Sequence, residues 1–380
     1  MKAVVQKFLL LIWLPFLLWQ PLFAQQAAID DLVSGYVLMD AESGQILRER
    51  NADQALPPAS ITKLMTAYLT FQALQSGKIT LEDKVSISQQ AYKQEGSRMF
   101  VEINSQVAVG DLIQGMIVQS GNDASVALAE YLGGSVEGFA QMMNQAAAQL
   151  GMKNTHFVNP TGMPDEAHYS SARDIALLAR AIIMQFPEYY HYYSQKEFVW
   201  NKIKQQNRNR LLWRNANVDG LKTGYTDAAG FCLVASEKRG EARMISVVLG
   251  ARKEEHRYEA SLQLLNSGFA LFSRISPVQA GQVLSQAQVF KGETDSVNIA
   301  AQQTLNLLVP NEAKNSLTAT LNINGTLVAP IAKGQVLGDI RIAAGGQVYA
   351  TVPAVAAEAV AEAGFFKRTW HGLKMWWNND

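Results

Sequence analysis

The periodicity of the apolar residues changes near Ser273, and that change limits this 380-residue chain to a fold in two unlike parts. Before it, helical spacing alternates with a few strand-like runs. GYVLMD and GQILRER, joined by Ala41-Glu42-Ser43-Gly44, read as a hairpin. Helical spacing follows over Ile61–Leu74, stopped at Ser76-Gly77, and over Leu112–Leu132, Phe139–Leu150 and Ala172–Met184, the last ending before Pro187. Strand character returns at Gly230–Ser236 and Met244–Leu249, and Glu254–Phe272 is helical again. Strands from both ends of the segment with a helical cluster between them predict an α+β organisation. After Ser273 the runs are short and alternating (Leu305–Val309, Leu317–Ile323, Val336–Ile342), with turns at Asn324-Gly325 and Gly345-Gly346, which predicts a small all-β domain. Ala354–Ala363, rich in Ala and Glu, reads as a linker compatible with helix.

The two ends differ from the middle. Residues 1–24 place Lys2 and Lys7 before an apolar run from Phe8 to Trp19, with small residues after it, the order of a secretory signal. A membrane anchor is the alternative, but the run is short and broken by Pro15. At the other end, Phe366, Trp370, Leu373 and Trp377 fall on one helical face, flanked by Lys367, His371 and Lys374. Aromatic rings beside cations suit a helix lying in a lipid interface, over residues 364–378; docking on the protein's own core is the alternative. The expected organisation is therefore a signal at 1–24, a main domain at 25–272, a β domain at 273–353, and a linker with an amphipathic helix at 354–380.

Charge and cysteine content narrow the function. Thirty-three basic residues balance 33 acidic ones, which argues against a nucleic-acid binder. The single cysteine, Cys232, excludes an intrachain disulfide framework and a thiolate-rich zinc site. It lies within a strand pattern and reads as a buried small hydrophobe. Loss of the signal would remove two positive charges and no acid, leaving a net charge of −2.

Three short segments carry chemistry. Ser60-Ile61-Thr62-Lys63 opens the first strong helix, so Lys63 stands one turn beyond Ser60 on the same face. A serine hydroxyl needs an adjacent base, and a desolvated lysine is one; an N-cap serine with a surface lysine is the plain alternative. Ser120-Gly121-Asn122 lies at a helix–loop junction, where turn chemistry is the usual role of such residues. Lys222-Thr223-Gly224 offers a cation, a hydroxyl and a position open to close backbone approach, suited to holding a carboxylate. In isolation each has an ordinary structural explanation.

In this order, S-x-x-K, S-x-N and K-T-G form the set of penicillin-interacting serine enzymes. With QSGNDASVALAE, NPTGMPDEAHYSSARDIA, NRNRLLW and NVDGLKTGYTDAAGFCLVAS, the chain resembles the serine-type D-Ala-D-Ala carboxypeptidases, the low-molecular-mass penicillin-binding proteins of the type-5 kind (peptidase family S11). The likeness covers essentially the whole mature chain. It implies a β-lactamase/transpeptidase-like domain, an antiparallel sheet plus helical cluster, followed by the small β domain and the amphipathic helix. It implies hydrolysis of the terminal D-Ala from peptidoglycan stem peptides through an acyl-enzyme on Ser60, covalent inhibition by β-lactam antibiotics, and no metal or cofactor. Lys63 would be the base, its pKa depressed by burial and by Lys222, and Ser120 would pass a proton to the leaving amine. Asn122 would bind the substrate amide, and Lys222, Thr223 and Gly224, with Arg257 and Arg208, the carboxylate end. The Ser60 backbone N–H, with one from the strand after Gly224, would form the oxyanion hole. The implied location is the periplasmic face of the bacterial inner membrane. Tyr225 stands where some members carry His, and no deacylation base is identifiable. A serine β-lactamase, a DD-endopeptidase and a silent peptidoglycan-binding protein remain the alternatives.

Overall fold

The computed structural model describes residues 29–377, so the signal expected at 1–24 lies outside the described residues. The chain divides into two compact units at Gly268/Phe269.

In the first unit, β1 (Gly35–Asp40) and β2 (Ile46–Arg50) form the expected hairpin. A 3-10 turn (Ala59–Thr62) then runs directly into α1 (Lys63–Gln75). Every residue of α1 except Gln72 and Gln75 is buried, so it is a core helix rather than an amphipathic one. A small ladder of β3 (Lys84–Ser86) and β4 (Gln106–Ala108) leads to α2 (Val109–Val118), α3 (Asn122–Gly133) and α4 (Val136–Gln149). The single helix read over Leu112–Leu132 is thus two, broken at Ser120, whose φ is +67°. Both halves are buried apolar runs, so their pattern hides the break.

Next come α5 (Ala172–Gln185), capped by the Ser171 side chain, and a hairpin of β5 (Glu197–Trp200) and β6 (Ile203–Gln206). Strands β7 (Val218–Thr226), β8 (Gly230–Arg239) and β9 (Ala242–Ala251) precede α6 (Glu254–Leu271). The five-stranded antiparallel sheet runs β2-β1-β9-β8-β7, so the last strands of the unit pair with its first and β7 stands at an edge. One continuous apolar cluster joins this sheet to α1 and its neighbouring helices.

The second unit is β-rich. Strand β10 (Phe272–Val278) precedes β11 (Val283–Phe290), β12 (Ser296–Ala301) and β13 (Leu305–Pro310). Then come β14 (Thr318–Ile323), β15 (Leu327–Val328), β16 (Val336–Ala344) and β17 (Gln347–Ala356). A six-stranded sheet, β14-β16-β17-β12-β11-β15, and the β10-β13 pair enclose their own apolar core. The segment read as a linker compatible with helix is extended instead. β17 runs to Ala356, and Val360 and Glu362 make isolated bridges to Ile331 and Gly292. Backbone pairing here overrides the helical preference of Ala and Glu.

The chain ends in α7 (Phe365–Trp377). Its Phe365, Phe366 and Trp370 rings are 78%, 89% and 68% exposed. Two cations of this helix have partners: Lys367 pairs with Asp295 at 2.8 Å and Arg368 with Glu362 at 2.9 Å. The His371 Nδ1 accepts from the Lys291 N–H at 2.8 Å. No helix among the described residues is long and apolar enough to cross a membrane.

Candidate active site

Three short motifs from distant parts of the first unit meet at the junction of its sheet and helices. Ser60 sits in the 3-10 turn and Lys63 is the first residue of α1, so the change from 3-10 to α-helix lies between them. The Lys63 Nζ lies 2.9 Å from Ser60 Oγ and donates to the Thr161 carbonyl at 2.7 Å. Lys63 is only 1% exposed, and no carboxylate among the described residues forms an ion pair with it. Burial lowers its pKa from 10.5 to about 7, opposed by the more distant Asp123 carboxylate. The expected influence of Lys222 on this value is not among its causes.

Lys222, on β7, is equally enclosed. Its ammonium donates to Ser120 Oγ at 2.9 Å and to the Thr223 carbonyl at 3.0 Å. Burial is the main cause that holds its pKa well below the ordinary value, followed by repulsion from Lys63, Arg208 and Arg257. Asn122 opens α3; its side-chain amide donates to the Glu95 carbonyl at 2.6 Å, and its own N–H to Ser97 O at 2.7 Å. Gly224 faces the turn: a Cβ there would come within 3.0 Å of Pro58 O and 3.2 Å of the Ala59 Cβ. The glycine of K-T-G therefore lets β7 lie against the segment that carries Ser60.

The two arginines differ. Arg257 is buried, paired with Glu254 at 2.9 Å, stacked over the Tyr258 and Phe231 rings, and weakly bonded to Gly224 O at 3.4 Å. Its Nε is buried without a partner among the described residues. Arg208 is exposed and lines both clefts that open at Ser60. The first, about 760 Å³, is walled by Thr223, Gly224, Phe231 and Arg257; the second, about 410 Å³, by Asn122, Thr161, Gly162 and Met163. The structure thus gathers Ser60, Lys63, Ser120, Asn122, Lys222, Thr223, Gly224, Arg208 and Arg257 around one opening. Tyr225 is half exposed and turned to Asp227, its hydroxyl donating at 2.7 Å.

Several contributors carry no sequence motif of their own. Asn159 Oδ1 accepts from Thr161 N, Thr161 Oγ1 and Gly162 N at 2.7–3.1 Å, an Asx turn that aims the Thr161 carbonyl at Lys63. An Asn two residues before Thr-Gly was the only available signal. Gly162 has φ +80°, and a Cβ there would fall 1.8 Å from Ala59 O. The buried Asp123 carboxylate collects N–H groups from Met99, Phe100, Val101 and Ala124 at 2.8–3.2 Å, pinning the loop that walls the second cleft. Ala59, Phe100 and Ser120 all have positive φ, a conformation costly for residues with a side chain.

His168 is structural. Its Nδ1 accepts from the Val158 N–H at 3.1 Å, so Nε2 carries the proton and donates to Thr62 Oγ1 at 2.7 Å. Burial lowers its pKa to about 4. Cys232 is buried, and burial raises its thiol to about 11.

A family model described as D-alanyl-D-alanine carboxypeptidase matches residues 23–253, and one described as penicillin-binding protein 5, C-terminal domain, matches residues 272–362. The chain is 42% identical to the D-alanyl-D-alanine carboxypeptidase DacC of Escherichia coli over 90% of its length and 87% of that relative. It is 43% identical to the D-alanyl-D-alanine carboxypeptidase DacA of Haemophilus influenzae over 89% of its length and 88% of that relative. Its structure resembles penicillin-binding protein 5 from Haemophilus influenzae with a TM-score of 0.80 at 43% identity, covering 87% of this chain and 98% of the other.

Two outcomes follow from the packing and from His168. Gly162→Ala should cost about 3 kcal/mol or more, because the new Cβ meets Ala59 O in a positive-φ position. Urea unfolding checks this. A folded-state pKa of about 4 against the ordinary 6.5 means the unfolded chain binds more protons between those values. His168 therefore makes stability fall by roughly 1.4 kcal/mol per pH unit as pH drops from about 6 towards 4. In His168→Gln this component disappears, which denaturant midpoints at pH 6.5 and pH 5 measure.

Proposed function

This chain belongs to the D-alanyl-D-alanine carboxypeptidase family, and from that premise we propose that it removes the terminal D-Ala of peptidoglycan pentapeptides through an acyl-enzyme on Ser60. The observation that carries the residue assignment is the buried Lys63 Nζ, 2.9 Å from Ser60 Oγ with its pKa near 7. When neutral, this amine keeps its N–H···O bond to Thr161 and accepts the Ser60 hydroxyl proton as Oγ attacks the scissile carbonyl. A base matched to working pH is the efficient choice for that transfer. The Ser60 N–H and the Tyr225 N–H, one residue beyond Gly224, receive the developing oxyanion. Ser120, bonded to Lys222, passes a proton to the departing amine. Thr223, Arg208 and Arg257 take the terminal carboxylate, and Asn122 the acyl-side amide. β-Lactams acylate the same serine. The Ser60–Lys63 pair and the three gathered motifs favour an active hydrolase over a silent peptidoglycan-binding protein.

The exposed aromatic face of α7 supports a further part of this reading, an exported protein held peripherally on a membrane surface through residues 364–378. Burial of the exposed Phe365, Phe366 and Trp370 rings would contribute to the attachment.

Incubation of the mature protein with a D-Ala-D-Ala pentapeptide should release D-Ala, and Ser60→Ala should release none. Equal release by the variant, or none by the unmutated protein, defeats the assignment. Because the neutral amine is the active form, kcat/KM should fall about tenfold per pH unit below about 7 and level off above it. Deleting residues 364–380 should move the mature protein from the membrane pellet to the supernatant. Sedimentation unchanged by the deletion would remove the anchor.

A further inference from the structure

The two clefts that meet at Ser60 differ in chemistry. The first contains the groups assigned to the terminal carboxylate, and its four cations, Lys204, Arg208, Arg210 and Arg257, are accompanied by Glu254. Arg210 and Arg257 both approach that glutamate, and Lys204 pairs with Glu197. The second cleft is lined by Arg98 and Arg208 and, among the described residues, by no carboxylate. Arg98 is half-buried, lies over the Phe100 ring at 5.3 Å from its centroid, and forms no ion pair among the described residues. Phe100 is held there by the Asp123 carboxylate, through its N–H at 2.8 Å. A guanidinium over the ring of a residue whose backbone is fixed, and with no ion pair among the described residues, is placed to meet an anion.

Position fixes which part of the substrate that anion belongs to, given the carboxypeptidase reading on which this inference rests. With the scissile carbonyl at Ser60 and the terminal carboxylate towards Thr223 and Arg257, the leaving residue occupies the first cleft. The acyl half of the peptide then passes Asn122 into the second, towards Arg98. Arg208 lines both clefts and is assigned above to the terminal carboxylate. We propose that Arg98 is a specificity-determining residue that recognises a second carboxylate on the acyl side of the scissile bond. The preferred substrates are thus peptides anionic on both sides of the bond that is cut. That carboxylate sits either on the side chain of the residue preceding the D-Ala-D-Ala pair or on the residue before that.

The test uses acetylated peptides ending in D-Ala-D-Ala. One bears a free side-chain carboxylate on the residue preceding the pair, one bears it a residue further away, and each has a matching carboxamide. For the unmutated full-length protein, the acid should exceed its amide in kcat/KM by about fivefold at one of the two positions, the size of a single partly exposed charge contact. The position that shows the preference identifies the source of the anion. In Arg98→Leu the acid-to-amide ratio should fall to about one; in Arg98→Lys part of it should return; and for the unmutated protein it should shrink in high salt. A ratio of one at both positions overturns the proposal, as does a preference that survives Arg98→Leu. No D-Ala from any peptide, amides included, defeats the carboxypeptidase reading itself and the proposal with it, an outcome distinct from cleavage without preference.

Discussion

Two lysine amines buried side by side, without carboxylate partners, are the constraint around which the first unit is organised. Lys63 and Lys222 each have neutral acceptors in place of a counter-ion: a backbone carbonyl and a serine hydroxyl apiece. A carboxylate at contact distance would hold Lys63 charged and unable to take a proton. Keeping it near 7 instead of 10.5 costs roughly 4–5 kcal/mol at most, at 1.36 kcal/mol per pKa unit. Such a cost is tolerable only within a large apolar core, and α1, which begins at Lys63, runs through the middle of one.

The acceptors are aimed by groups one step removed from the chemistry. Asn159 shapes the turn that presents Thr161 O, Gly162 lets that turn close on Ala59, and Gly224 lets the edge strand lie beside Ser60. Asp123 acts similarly on the opposite wall, drawing together the backbone of Met99, Phe100 and Val101. Positive φ values at Ala59, Phe100 and Ser120 place the unfavourable backbone geometry on the segments bordering the opening. Surrounding packing over-determines those conformations, as strained sites require.

What the sequence disclosed followed the range of the interactions. Ser60 and Lys63 are one turn apart, so their meeting is local and legible. K-T-G and S-x-N are recognisable as patterns, but only the resemblance joined them to Ser60. The Thr161 carbonyl is a backbone atom, and no residue type announces which carbonyl will face a lysine 98 positions away. The break between α2 and α3 was hidden because both helices are buried, leaving an uninterrupted apolar run. The β5-β6 hairpin was not legible because Phe198, Val199 and Trp200 run together without the alternation that marks a half-buried strand. Its two-residue turn, Asn201-Lys202, has positive φ at both positions without the glycine that usually marks one. The Ala-rich stretch after Ala354 was misread because pairing with a neighbouring strand outweighs local preference.

The meeting of two clefts at one serine also orders the events after acylation. On the proposed reading, a released amino acid departs through the larger opening while the remainder of the peptide stays esterified in the smaller, so the products leave in a fixed sequence. A cyclic amide breaks this sequence, because opening its ring separates nothing: the amine half remains tethered to the acyl half and stays in the vacated space. One arrangement of cavities therefore makes a linear peptide a substrate with two departures and a ring a substrate with only one.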